Sequence, residues 1–273
     1  MAEFTPMMQQ YLQTKEEYKD CILFYRLGDF YEMFFEDAEL VSKELELTLT
    51  GKNCGMEERA PMCGIPYHAV EGYLNKLVAN GHKVAICEQV EDPKLAKGLV
   101  RREVIRIVTP GTNLDMQALD ESKNNYIMCI VYLADRYGVS IADVSTGDYY
   151  VTEVDSERKL FDEITKFSPS EIICNESFYM SGVDIEDLRH RLKITIYALE
   201  TWYFGDELAE TTLLTHFKVK SLEALGLADY DCGMIAAGAL LKYLYETQKN
   251  DLNNISVIHP YSTGKYMIID SST

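Results

Sequence analysis

Phe30 and Glu32, in the stretch Leu27-Gly28-Asp29-Phe30-Tyr31-Glu32-Met33, are the pair best placed by type and spacing to do chemistry. In an extended chain, side chains alternate between faces, so Phe30 and Glu32 project together and Tyr31 points away. The odd positions Cys21, Leu23, Tyr25, Leu27, Tyr31 and Met33 form a near-continuous apolar set, whereas the even positions include Arg26, Gly28, Phe30 and Glu32. The even face is therefore expected to turn polar around Phe30 and to make a poor core face, unless a turn at Gly28-Asp29 resets the parity. A flat ring beside a carboxylate can stack on a flat partner and hydrogen-bond to it, and a nucleic-acid base meets both demands. Periodicity alone also permits a plainer assignment, a core aromatic followed by a solvated glutamate.

Two further motifs lie downstream, Gly64-Ile65-Pro66-Tyr67-His68-Ala69-Val70 and Ile107-Val108-Thr109-Pro110-Gly111-Thr112. With Gly28-Asp29-Phe30-Tyr31-Glu32 they resemble, in order and spacing, the N-terminal region of the MutS family of bacterial DNA mismatch-recognition proteins. The resemblance covers essentially all 273 residues, strongly to about Thr112 and more loosely beyond. It implies that Phe30 is a wedge that stacks on a mispaired base and that Glu32 hydrogen-bonds to that base. It also implies contacts to the DNA backbone or groove at Lys52, Met62, Lys97 and Arg102, with Lys52 and Arg102 on phosphates and Met62 packed near the wedge. The implied partners are mismatched double-stranded DNA, MutL through the second domain, and a second copy in a full-length homodimer, with no membrane. ATP and magnesium are implied for the full-length protein alone, in domains that would follow this N-terminal fragment. No catalytic residue, cofactor or metal is expected within the chain itself. Ser262-Thr263-Gly264-Lys265 lacks the preceding glycine of a phosphate loop and is followed by Tyr266.

Breaking a base step costs roughly a few kcal/mol, and a mispaired base has already lost part of its stacking and pairing. Base–aromatic stacking returns about 1–3 kcal/mol, so a wedge should break even on paired DNA and win at a mismatch. Glu32 in a groove walled by phosphates is repelled and desolvated, and both effects favour its protonated form. A neutral carboxyl can donate to a ring nitrogen, which an ionised one cannot do.

The composition is that of a folded chain of one large or two ordinary domains, 47% apolar with 16 glycines and 7 prolines. A net charge of -18 is not the signature of a protein that coats phosphates. Locally the balance reverses. Lys94, Lys97, Arg101, Arg102 and Arg106 face one acid, Glu103, in a segment expected to be a surface loop and a phosphate contact. From Met116 onward there are 13 basic and 25 acidic residues, which suits relay and partner docking better than lying along DNA. The seven cysteines include no Cys-x-x-Cys and read as reduced, buried thiols. A metal set of Cys54, Cys63, His68 and Cys87 fits no zinc spacing. No leader and no apolar run of membrane length is apparent, so a soluble cytoplasmic protein is expected.

The elements that must position these residues read as mixed α/β. Helices are expected over Thr5–Tyr18, with Thr5 as cap and Pro6 in the first turn, Asp37–Glu46 and Tyr67–Asn80. Strands are expected within Cys21–Phe35, at Leu47–Thr50, His82–Val90 and Glu103–Val108. Residues 1–113 are expected to form the mismatch-recognition domain, 114–124 a linker and 125–273 a connector domain. The boundary between the domains is expected in the Pro/Gly/Asn/Asp-bearing segment Thr109–Ser122. In the second unit, strands at Tyr126–Leu133, Val139–Val144 and Asp148–Val154 are expected as hairpins. Helix Ser156–Phe167, strands Glu171–Cys174 and Ile194–Ala198, helices Asp206–Phe217 and Gly233–Gln248, and strands Ile255–Ile258 and Tyr266–Ile269 follow. This pattern resembles the ribonuclease-H-like connector of the family. It invites a rival reading, a magnesium-dependent nuclease using Asp143 with Asp148, Asp229 or Asp231.

Overall fold

The computed structural model describes residues 3–114 and 124–263. It divides into two units, Met1–Leu119 with Thr247–Lys249, and Asp120–Glu246 with Asn250–Thr273. Most of the expected linker, the strand at Tyr266–Ile269, and Gly264 and Lys265 lie outside the described residues. Both units are mixed α/β, each built on a mixed sheet. Among the described residues no helix is long and apolar enough to cross a membrane.

The first unit opens with helix α1 (Pro6–Glu17). Thr5 caps it by accepting from the Met8 N–H, and Pro6 loses nothing at a position whose N–H has no helical partner. Strands β1 (Ile22–Leu27), β2 (Phe30–Phe34), β3 (Thr50–Lys52), β4 (Ala60–Pro66), β5 (Val84–Gln89) and β6 (Arg102–Val108) form a sheet in the order β3-β4-β2-β1-β5-β6. Only β1 and β5 pair in parallel. Helices α2 (Phe35–Glu44) and α3 (Val70–Ala79) place Ala38, Val41, Leu74, Leu77 and Val78 against Ile22, Phe24, Tyr31 and Met33. Helix α1 covers the other face, with Met8 and Tyr11 against Leu23, Tyr25 and Phe34. A two-sided cover explains why β1 is apolar at both parities. Asp37 locks this layer from within, accepting from the Leu23 N–H and from Lys15 Nζ, both at 2.9 Å.

The turn at Gly28-Asp29 does reset the parity. It is a two-residue hairpin with Gly28 at φ +59, pairing Leu27 with Phe30 and Tyr25 with Glu32. The single odd apolar face is therefore corrected: Leu23 and Tyr25 share a face with Phe34, while Tyr31 and Met33 belong with Ile22 and Phe24. Strand β4 is absent from the sequence reading because Pro61, Gly64 and Pro66 weaken its strand signal. The strand expected at Leu47–Thr50 forms instead at Thr50–Lys52. Nor does a linker begin at Thr109. Thr109, Thr112 and Asn113 are buried, the Thr109 N–H donates to Thr112 Oγ1 at 3.0 Å, and Asn113 Nδ2 donates to Asn75 Oδ1 at 2.8 Å.

In the second unit β7 (Tyr126–Leu133), β8 (Arg136–Asp143) and β9 (Asp148–Val154) form the expected hairpins. Strands β10 (Glu171–Cys174) and β11 (Thr195–Ala198) add in parallel beyond β7, and β12 (His259–Pro260) adds beside β9. The first hairpin turns at Ala134-Asp135, both at positive φ, so β8 begins earlier than Val139 and runs through Gly138. A side chain at Gly138 would strike the backbone of Cys232, its Cβ lying 2.1 Å from the Cys232 oxygen. Helices α4 (Glu157–Phe167), α5 (Ile185–His190), α6 (Asp206–Phe217) and α7 (Asp231–Gln248) complete the unit. Helix α5, capped by Asp184, is too short to show a sequence period. Residues 255–258 form no strand. Positions 234–241 of α7 are all buried, as their small and apolar composition implies.

Candidate nucleic-acid interface

Strand β2 runs from core to solvent along one face. Phe34 is buried, edge-on to Tyr11 with ring centroids 4.8 Å apart. Glu32 is partly covered, and Phe30 at the turn is 44% exposed. An exposed ring at the end of a strand whose remaining apolar residues are buried is the informative exception, because apolar side chains on central strands ordinarily pack.

The neighbouring strand keeps the space beside this pair open. The β2–β4 register sets Phe30 against Pro66, Glu32 against Gly64 and Phe34 against Met62. A Cβ at Gly64 would lie 3.6 Å from Phe30 Cδ1 and 3.8 Å from Glu32 Cγ, so the glycine leaves both side chains bare on that flank. Met62 is partly buried and packs with the α1-facing cluster, on the same face as the pair. Lys52 reaches this face from β3. Its ammonium donates to Glu32 Oε2 at 2.5 Å and stands 5.7 Å from the Phe34 ring centroid.

The basic segment divides in two. Lys94, Lys97 and Arg101 are exposed in the connection between β5 and β6. Arg102 is turned into the protein, where Nε donates to the Arg26 carbonyl at 2.7 Å. Its Nη1 donates to the Val100 carbonyl at 2.9 Å and to Gln10 Oε1 at 3.1 Å. The same guanidinium lies 5.2 Å from the centroid of Tyr25, whose hydroxyl burial pushes up to about 12 against the pull of that cation. Arg102 thus ties β1, β6 and α1 together. Arg106 also turns inward, donating to the Thr112 carbonyl at 3.2 Å.

On the opposite face the Arg26 guanidinium sits 3.9 Å from the centroid of exposed Tyr67 and pairs with Glu88. Tyr31 donates its hydroxyl to Glu88, and burial, with that carboxylate second, pushes the hydroxyl up. The Tyr67 N–H donates to the Asp29 carbonyl at 2.9 Å and pins the turn that carries Phe30. His68 follows Tyr67 in a 3-10 turn and is exposed, with its ring edge-on to Tyr67.

The cysteine set divides between the two sheet faces, Cys54 and Cys87 on the α1 side and Cys63 on the other. All seven thiols are free and buried. Among the described residues no group of three or more His, Cys, Asp or Glu could hold a metal ion. The nuclease reading also loses two of its carboxylates. Asp143 is fully buried and accepts from the Ser145 N–H at 2.8 Å, Ser145 Oγ at 2.7 Å and the Asn125 N–H at 3.2 Å, which makes it a turn cap. Asp231 begins α7 beside Gly138, five residues along β8 from Asp143 and so about 17 Å away. A two-metal site needs its ions roughly 4 Å apart.

The comparisons with known proteins bear on both units. The family model described as MutS domain I matches residues 5–117, and that described as MutS domain II matches residues 125–256. A curated DNA mismatch repair protein MutS of Lachnoclostridium phytofermentans is 65% identical over 273 residues, covering 100% of this chain and 29% of the relative. Proteins of the same name from Acetivibrio thermocellus and Clostridium tetani are 51% and 48% identical, covering 100% and 98% of this chain and 31% and 30% of the relatives. The chain thus spans under a third of the length of these relatives.

Proposed function

The chain belongs to the MutS family, and on that footing we propose that it serves DNA mismatch repair by reading weakened base steps with Phe30. The observation that carries this is the exposed Phe30 ring beside Glu32 on an otherwise buried strand, with glycine opposite. Phe30 enters a step whose stacking is already impaired, and Glu32 hydrogen-bonds to the displaced base. Because the cost of unstacking falls where pairing is broken, selectivity arises from deformability with little need for base-sequence readout. Met62 lines the groove next to the wedge, and Lys97 supplies backbone attraction from its exposed loop.

The second unit relays the state of an ATPase and docks MutL, its acidic surface keeping it off the duplex. ATP and magnesium use, and pairing with a second copy, belong in this proposal to the whole protein, of which the matched domains are part. A cytoplasmic setting completes it, and seven free thiols suit a reducing compartment. The test is an anisotropy titration of a duplex bearing one G·T mispair against the same duplex fully paired, with wild type and Phe30→Ala. The wild type should prefer the mispair, and the variant should lose that preference.

A further inference from the structure

The feature that goes further is the ion pair between Lys52 and Glu32, on the face that exposes Phe30. Brought to a duplex separately, the carboxylate would be repelled by the phosphates and the ammonium attracted to them. Joined, they present almost no net charge. We propose that Lys52 is a specificity-determining residue. Glu32 holds it over paired DNA, and it passes to a backbone phosphate when Glu32 turns to a mispaired base. This rests on the reading of Phe30 and Glu32 given above.

The geometry favours an exchange of partners over a fixed brace. Lys52 lies on β3, the edge strand of its sheet, and its side chain is 32% exposed while that of Glu32 is 16% exposed. About a third of the Lys52 side chain is in solvent, so a phosphate can reach the ammonium and compete for it. Glu32 cannot serve Lys52 and a base equally well, because a carboxyl that donates a hydrogen bond to a ring nitrogen is neutral and no longer holds the ammonium. Gly64 leaves Glu32 room to turn, since nothing projects from β4 at the position opposite it. Paired DNA keeps its bases stacked and offers Glu32 no displaced base to turn to, so the pair stays closed and Lys52 displaces no counterion. At a mispair the pair opens, and one more phosphate is neutralised.

Counterion release makes this measurable. Each phosphate neutralised adds about 0.9 to the slope of log affinity against log salt. The mispaired complex should therefore be steeper by about 0.9, so that each doubling of salt weakens it about 1.9-fold more than the paired complex. The experiment measures the anisotropy of the G·T and fully paired duplexes across a salt series with the full 273-residue chain. It compares wild type, Lys52→Met, Glu32→Gln and Phe30→Ala, with circular dichroism on each variant. Lys52→Met keeps an apolar stem over Phe34 and should abolish the slope difference. Glu32→Gln releases Lys52 on any duplex and should steepen the paired slope to match the mispaired one. Equal slopes in the wild type, or a difference that survives Lys52→Met, would overturn the exchange. A wild type with no mispair preference, or a preference that survives Phe30→Ala, would instead sink the reading on which the exchange rests.

Discussion

Replacing Phe30 by alanine separates recognition from folding, because the same strand carries an internal control. Phe34 lies four residues along β2 on the same face, but it is 1% exposed and packed against Tyr11. Truncating a buried phenylalanine costs about 3–5 kcal/mol, and Phe34→Ala should fall in that range. Phe30 is 44% exposed. About half of the roughly 2–3 kcal/mol for burying a whole ring applies to it, so Phe30→Ala should cost about 1 kcal/mol of stability. Its effect on binding should be larger. Losing one base–ring stack of about 1–3 kcal/mol weakens mispaired binding roughly 5- to 150-fold, at about 1.4 kcal/mol per tenfold. Paired binding should hardly change, since insertion there gains about as much as it costs. Urea unfolding gives the first pair of numbers, and anisotropy with mispaired and paired duplexes gives the second. If Phe30→Ala destabilises as much as Phe34→Ala, the ring is a core residue. If it leaves the mispair preference intact, the ring is not the wedge.

Other consequences concern the scaffold. Asp37→Ala strands the buried Leu23 N–H and leaves the Lys15 ammonium its bond to the Cys21 carbonyl but no counter-charge at Asp37, and urea unfolding should show a loss of about 3 kcal/mol. Gly238→Ala would set a methyl 2.3 Å from the Ala209 Cα and force α6 and α7 apart, costing about 2–3 kcal/mol by the same assay. Gly72→Ala, on α3 with open space around the new Cβ, should stabilise by about 0.5–1 kcal/mol. Stability should fall in alkali. Burial pushes the Cys21, Cys87 and Cys174 thiols from 9.0 to about 12 and the Cys63 thiol to about 11, so between those values the unfolded chain has lost protons that the folded chain keeps. The contribution is complete below pH 9 and declines through 9–12. Melting temperatures that hold constant over that window would refute it.

Local signals carried much of the secondary structure. Helix α1 was legible because a capping threonine and a proline mark its start, and α4 because Ser156 caps it and Pro169 bars its continuation. Strands β7, β9 and β10 begin and end where their β-branched and aromatic runs do. Phe30 and Glu32 could be singled out because a two-residue spacing puts both on one face of any strand. The motifs at Gly64–Val70 and Ile107–Thr112 then pointed to the family that the comparisons show. What Arg102 and Lys52 touch was beyond a one-dimensional reading. An isolated basic run looks the same whether its guanidinium points to solvent or to the Arg26 and Val100 carbonyls.

The sequence alone determined the periodicities, the caps and the pairing of an aromatic with a carboxylate, since these depend on residues within a few positions of one another. Only the tertiary structure decided that Phe30 stays exposed while Phe34 is buried, because α1 covers one and not the other. It also decided that Glu32 faces Gly64 across β4 and meets Lys52, because strand register brings together residues twenty and more positions apart. Such meetings follow from backbone hydrogen bonding between strands and from which helix lies over which face, and neither is encoded in the local run of residue types.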